Sequence, residues 1–538
     1  MTKTAINILS LTSDEVFDFF MTSEQYHGFE LPEYYDFDEV LNYVRESVGN
    51  KKYEECLTEI KPDELPNVNL DILLNKDGHY AVRPLILANP FLYYFLAREV
   101  CNPSGWEAIQ KCFKAYAVPH LTSCALPVVP DKVEPFHKSA TILNWWNSME
   151  QRSLELSLEY RYMFVSDITN CYGSINPQSI EWALACKSTK YETNENQQLA
   201  TDIQTYLRAL QHGHNIGIPQ GSALFDFVGE IVLGYSDLLL HEALQKEKIK
   251  DYEIIRYRDD YRIFCNDKDT LEQISYILQS VLESLNFRMN SQKTKISETI
   301  VIDSIKPDKL FYIYNTPIFN KKGVDFDSFE KHLLYILMYG RQFPNGGQLK
   351  TLLSDIDKRI EKWLKPDEEE LEDINLLDDK SIKKKNFRQR RLTGGSVRAM
   401  SAVATQIALD NVAVVHYALR VISRMVDSLK DIKEKRDIIS KVYDKLCKQH
   451  NSDYNQLWLQ NMTYTQDKKR KKSPYTMRLC KLVMGNSDES LWNNDWLKPD
   501  LTQDLPYESI VDKETLKKVT PVITFRETRV YNESKYVY

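Results

Sequence analysis

Residues 252–267 read YEIIRYRDDYRIFCND. Two short runs of β-branched and aromatic residues flank a charged dipeptide. The pattern predicts a β-hairpin with Asp259 and Asp260 at its turn. Neighbouring carboxylates repel, and a bound divalent cation removes that cost. Alone, such a pair is most often a solvated turn. A second segment, YMFVSDI (162–168), is an apolar, β-prone run with Asp167 near its end. An unpaired carboxylate there is expensive, yet in isolation Asp167 reads first as a helix cap or turn residue.

The order of segments says more than either alone. Between the two acidic sites lies NIGIPQGSALFDFVGEIVLGYSDLLLHEAL, a Pro-Gly loop followed by a long amphipathic helix. Hard oxygen ligands suit Mg²⁺, which takes one or two carboxylates plus substrate phosphates. Three carboxylates can hold two ions, one activating a 3′-hydroxyl and one steadying a leaving pyrophosphate.

The surrounding text fits an α/β unit over 75–315. NKDGHYAVRPLIL (75–87) has an Asp-Gly turn between two extended runs. The stretch after Pro90, residues 177–212 and roughly 270–286 read as helices. Beyond about 325 the pattern is helical. Residues 367–379 hold eight acids, and 380–398 hold eight bases with no acid. A second basic cluster, DKKRKKSPY, covers 467–475. Both basic runs read equally as salt-sensitive phosphate contacts and as solvated loops. The net charge of −8 argues against binding nucleic acid over the whole surface and for a local basic channel. Nine cysteines without a Cys-x-x-Cys pair fit a reducing cytosol and no zinc site. The first residues show no signal-peptide pattern, and no uncharged apolar stretch reaches about 18 residues. The expectation is a cytoplasmic protein with no membrane partner.

These segments resemble the palm motifs of reverse transcriptases. FVSDITNCY (164–172) is similar to motif A, IPQGSALFDFVGEIVL (218–233) to motif B, and YRDD (257–260) to the Y-x-D-D of motif C. LNFRMNSQKTKI (285–296) is similar to motif D, and GHYAVRPLIL (78–87) to a finger segment. The stretch SDITNCYGSINPQSIEWAL resembles bacterial antiphage enzymes, the abortive-infection and "unknown group" reverse transcriptases. Asn176, Pro177 and Gln178 depart from that group's Tyr-Thr-His.

The resemblance implies a right-hand α/β polymerase, with fingers and palm, followed by an α-helical C-terminal domain. It divides the chain into an N-terminal helical extension (1–74), fingers (75–160), palm (161–320) and a helical domain with basic segments (321–538). Asp167, Asp259 and Asp260, with the backbone of Ile168, would hold two Mg²⁺ ions, Mn²⁺ being the alternative. Lys293 would act at the leaving group. Arg83, Ile168, Tyr172, Pro219, Gln220, Gly221, Tyr257 and Arg258 would line the substrate site. Tyr172 would be the steric gate against a 2′-hydroxyl. Arg258 stands where a small or apolar residue is usual, and a cation there could pair with the aspartates or touch the primer backbone. The implied partners are deoxynucleoside triphosphates, a noncoding RNA, a single-stranded DNA product and further copies of the chain. Tyr531, Tyr536 and Tyr538 are candidate priming hydroxyls. The competing readings are an RNA-binding module without synthesis, a template-independent deoxynucleotidyl transferase, and a retron or group II intron enzyme.

Overall fold

The computed structural model describes residues 6–75, 82–129, 141, 144–185, 194–315, 329–364, 392–467, 474–485 and 490–518. Tyr531, Tyr536 and Tyr538, most of the 380–398 basic run and Lys468–Ser473 lie outside them.

Nine strands among the described residues form three sheets. β1 (Ile6–Asn7) pairs with β5 (Val128–Val129), and β2 (Leu70–Asn75) with β3 (Val82–Leu87), both antiparallel. The main sheet takes β4 (Leu121–Ser123), β6 (Tyr162–Asp167), β7 (Tyr252–Tyr257), β8 (Asp260–Cys265) and β9 (Lys295–Ser297), in the order β4-β7-β8-β6-β9. Only β4 runs parallel to its neighbour.

The strands of this sheet are apolar on both sides because both faces are covered. Phe164, Ile254 and Ile263 point into the main core. There the helices Ala223–Lys246 and Lys268–Ser284 close that face. Met163, Ile255 and Phe264, one residue out of phase, join Cys124, Met149, Leu156 and Ile300 in a second, smaller core. A one-residue slip of any strand would exchange the two sets. The alternation therefore fixes the register that later matters for Asp167 and Asp260.

Beyond the sheet the chain is helical, through Phe329–Gln342, Gln348–Leu364, Gly394–Asp410, Val415–Asp427, Ile432–Cys447 and Asp453–Asp467. Arg420 and Arg424 from one helix converge on the buried Asp357 of another, at 2.8 and 2.5 Å. Glu30 ties the N-terminal region to this bundle through Lys350 Nζ at 2.5 Å and through His416. The architecture is thus an α/β sheet unit followed by a helical region.

The last described segment leaves the bundle and returns to the start of the chain. Leu497 bridges Leu57 and Val511 bridges Tyr35. Trp492 is fully buried and donates its indole N–H to the Leu87 carbonyl at 3.3 Å. Among the described residues no helix is long and apolar enough to cross a membrane.

Burial in the bundle has a pH signature. His332 is 3 % exposed, and burial followed by the nearby Arg359 charge lowers its pKa from 6.5 to about 4. The unfolded chain then binds a proton more readily than the folded one below pH 6.5. Stability contributed by neutral His332 is complete above that pH and lost as pH falls towards 4. The loss is about 3 kcal/mol. Denaturant titrations of wild type and His332→Leu at pH 7 and pH 4.5 should show a smaller pH dependence in the variant. An unchanged dependence would exclude His332 as its source.

Candidate active site

The hairpin turn is two residues long. Tyr257 pairs with Asp260, leaving Arg258 and Asp259 at the tip. Arg258 takes a positive φ of 54°, uncommon for a side chain of its size. On the other side of β8, Asp260 lies directly opposite Asp167, the last residue of β6. The Ile168 N–H donates to the Asp259 carbonyl at 3.1 Å and locks the two strand ends together. Three carboxylates separated by up to 93 residues in sequence thus meet at one end of the sheet.

The Asn290–Thr294 turn caps that end. The Asn290 N–H donates to the Asp167 carbonyl at 2.9 Å, and the Lys293 and Thr294 N–H groups donate back to Asn290. This folding places the exposed Lys293 ammonium on Asp167 Oδ2. Its pKa rises, chiefly through that hydrogen bond. Asp167 itself is 6 % exposed, and its Oδ1 is buried without a hydrogen-bond partner.

Charge is crowded here. Lost hydration, then the charges of Asp259 and Asp167, push the Asp260 carboxyl up to about 6, although the residue is exposed to water and solvent screens part of that push. Asp259 is raised as well, by burial first and by Asp167 next. As the side chains stand, no group of three His, Cys, Asp or Glu among the described residues forms a closed ion cage. Lys293 holds the position on Asp167 that a cation would contest. The donor set nevertheless suits hard divalent ions. It offers three carboxylates, one orphaned buried oxygen and mutual repulsion that a cation relieves. Asp167, Asp259 and Asp260 are the residues that could hold such ions.

The loop before the Ala223–Lys246 helix is pinned to both neighbours. The Ile218 N–H donates to the Tyr172 carbonyl at 2.8 Å, and the Gln220 carbonyl accepts from Ile86 of β3 at 2.9 Å. Pro219 is buried, and Gln220 is half-buried. Gly221 has φ +141°, and a Cβ there would lie 2.5 Å from the Ile86 carbonyl oxygen. Only glycine satisfies both the conformation and the contact. Gly221→Ala should therefore push β3 away from the loop. The expected result is a fall of about a hundredfold in nucleotide incorporation, with circular dichroism unchanged. Retention of activity within threefold would mean the loop tolerates the shift.

Tyr172 lies on the short turn after Asn170, 8 % exposed. Its ring fills a slot on the Ala223–Lys246 helix, where a Cβ on Gly229 would stand 2.8 Å from Cε1. Tyr257 is half-buried beneath the Arg258 guanidinium, 5.7 Å from its ring centre. Arg83 is exposed on β3, three residues before Ile86 and so about 10 Å along the strand from the pinned loop. The structure joins Arg83 to the site through β3, and no described contact links its side chain to the carboxylates.

Arg258 does not pair with Asp259 or Asp260. Its Nη2 donates to Asp226 Oδ2 at 2.6 Å. Beneath it, the fully buried Arg256 donates to Asp237 at 2.7–3.0 Å and to Glu230 at 3.0 Å. It also donates to the Arg258 carbonyl at 3.0 Å. Sequence reading missed this two-arginine, three-carboxylate lattice. Its signal was partly present: acids at 226, 230 and 237 share a helix face, and Arg256 lies on the strand two residues before Arg258 at the turn.

Residues 106–326 match the family model for reverse transcriptase (RNA-dependent DNA polymerase). No curated protein matches the chain. Among solved structures it is similar to telomerase from Candida albicans in complex with a fragment of telomeric RNA. The identity is 13 %, covering 74 % of this chain and 69 % of that one, with a TM-score of 0.29. It is also similar to apo telomerase from Candida tropicalis, at 12 % identity over 78 % and 73 % of the two chains, with a TM-score of 0.30. A reverse transcriptase domain is present over 106–326, and the chain is an RNA-directed DNA polymerase, a nucleotidyltransferase.

Proposed function

We propose that this enzyme builds single-stranded DNA at the end of the β6–β8 ladder. The observation that carries the reading is the register that sets Asp167 opposite Asp260. Asp167, Asp259 and Asp260 would hold the divalent ions, with Ile168 contributing its backbone. Bound there, the ions would neutralise triphosphate charge and make the primer hydroxyl a better nucleophile. Lys293, already protonated on Asp167, supplies a cation and a proton beside the leaving group. Tyr172, wedged against the helix at Gly229, blocks the 2′ side of the sugar. Gln220 and Gly221 form the surface under the nascent pair, with Pro219 and Tyr257 fixing its edges. Arg83 reaches the triphosphate from the finger hairpin.

In this reading residues 1–74 are an N-terminal extension, 75–160 fingers, 161–320 palm and 321–538 an accessory helical domain. The enzyme serves antiphage defence in the bacterial cytoplasm as a homo-oligomer. A noncoding RNA is its template or partner, and a tyrosine of the chain is a candidate primer. The similarity of SDITNCYGSINPQSIEWAL to antiphage enzymes and the helical region after the palm support this.

The test uses full-length protein purified with its bound nucleic acid, labelled deoxynucleotides and Mg²⁺. Incorporation that RNase abolishes supports an RNA template. A product that shifts after protease supports protein priming. Incorporation unaffected by RNase would replace the templated reading with untemplated transfer.

A further inference from the structure

The Arg258–Asp226 pair stands beside the proposed sugar gate. Asp226 and Gly229 are three residues apart on one helix, so they share a face. Tyr172 packs into the slot at Gly229. Its buried hydroxyl makes no hydrogen bond of ordinary length, and Asp226, whose charge raises the Tyr172 pKa next after burial, feels that hydroxyl as a weak donor. Asp226 is held at 2.6 Å by Arg258 Nη2, while Arg258 Nε is also buried and unpartnered. Arg256 fixes the Arg258 carbonyl from below. The pair therefore has a defined place, set by the hairpin turn, and a defined neighbour.

We propose that Asp226 and Arg258 are positioning residues that set sugar selectivity by controlling Tyr172. The proposal rests on the reading of Tyr172 as the gate. A half-buried carboxylate such as Asp226 seeks donors. While Arg258 occupies Asp226, the Tyr172 hydroxyl is only a weak second donor to it, and the ring rests in its slot at a fixed depth. Without Arg258, Asp226 is a charged acceptor that has lost its strong donor, with the weakly engaged phenol beside it. The phenol is then its replacement donor, and forming that bond draws the ring off its seat. Without the Asp226 charge, the guanidinium loses its anchor, and the neighbouring carboxylates of Asp259 and Asp260 attract it. Either change loosens the contact that excludes a 2′-hydroxyl. A gate of this kind works by shape, and rejection of one added hydroxyl by shape is worth about a hundredfold. A displaced ring should forfeit a large part of that.

The experiment measures kcat/KM for each deoxynucleotide and its ribonucleotide counterpart, using full-length protein with its bound nucleic acid. Tyr172→Val tests the gate itself and should lower the deoxy-to-ribo ratio by about a hundredfold. Arg258→Met and Asp226→Asn should each lower it by about tenfold. Arg258→Lys, which keeps the charge, should stay near wild type and guards against a folding artefact. In a Tyr172→Phe background Arg258→Met should leave the ratio unchanged, because capture requires the hydroxyl. A merely structural role for Arg258 would lower both rates together and leave the ratio alone. If Tyr172→Val lowers the ratio while Arg258→Met and Asp226→Asn stay within twofold of wild type, this inference fails and the gate stands. If Tyr172→Val does not lower it, the gate reading fails and this inference falls with it.

Discussion

Asp260→Asn should yield a folded protein that incorporates deoxynucleotides at least about a thousandfold more slowly than wild type. Asparagine keeps the size of the side chain, and the backbone pairing with Asp167 and Tyr257 does not depend on charge. What disappears is one of three carboxylates proposed to hold divalent ions. The companion expectation has the opposite sign. Lost hydration and the charges of Asp259 and Asp167 raise the Asp260 carboxyl to about 6, so its ionised form is disfavoured in the folded state. Removing the charge relieves repulsion, and the variant should melt at the same temperature as wild type or higher, at neutral pH without added metal. Catalytic carboxylates held at a cost in stability follow the usual trade between activity and stability. Melting curves beside single-turnover incorporation assays check both expectations. Activity within tenfold of wild type would remove Asp260 from the reaction. A lower melting point with lost activity would instead make it structural.

The parts of the site legible in the sequence were those written in one segment. An apolar run ending in Asp167, a Pro-Gln-Gly loop before a helix and a charged dipeptide between β runs each carry a local signal. Their order joined them. Partnerships between segments were harder. Arg258 could have paired with the adjacent aspartates, and its true partner, Asp226, lies 32 residues earlier on a helix. Seeing it requires matching a 3.6-residue period on the helix to a 2-residue period on the strand. The tie from β3 to Gly221 is a backbone bond from Ile86, to which side-chain identity contributes almost nothing. The return of residues 490–512 to pack on 34–69 had no local signature at all. Trp492 and Trp496 announce a core but not which one, since apolar burial is non-directional.

The same lattice yields the largest stability effect. Arg256 is fully buried, and it donates to Asp237, Glu230, Ser123 and the Arg258 carbonyl. Burial raises the Asp237 carboxyl to about 6, even against the opposing Arg256 charge. Arg256→Met removes the cation and leaves two acids buried beneath the catalytic hairpin. Breaking a buried ion pair by deleting one partner costs about 3–5 kcal/mol. Across a chain of this length the melting temperature should fall by about 3–4 °C. The deficit should depend on pH. Carboxyls with raised folded-state pKa values are cheapest to bury when protonated. The variant should therefore lie closest to wild type near pH 5 and furthest from it near pH 8. Replacing all three groups, Arg256→Met with Glu230→Met and Asp237→Leu, removes the unpaired charges and should recover most of the lost stability. It does not restore the donor to the Arg258 carbonyl, so incorporation should remain low in a well-folded protein. That separation between recovered melting and unrecovered activity distinguishes a lattice that positions the hairpin from one that only holds the palm together. An Arg256→Met protein melting within about 1 °C of wild type would mean that water, and not the arginine, stabilises the two acids.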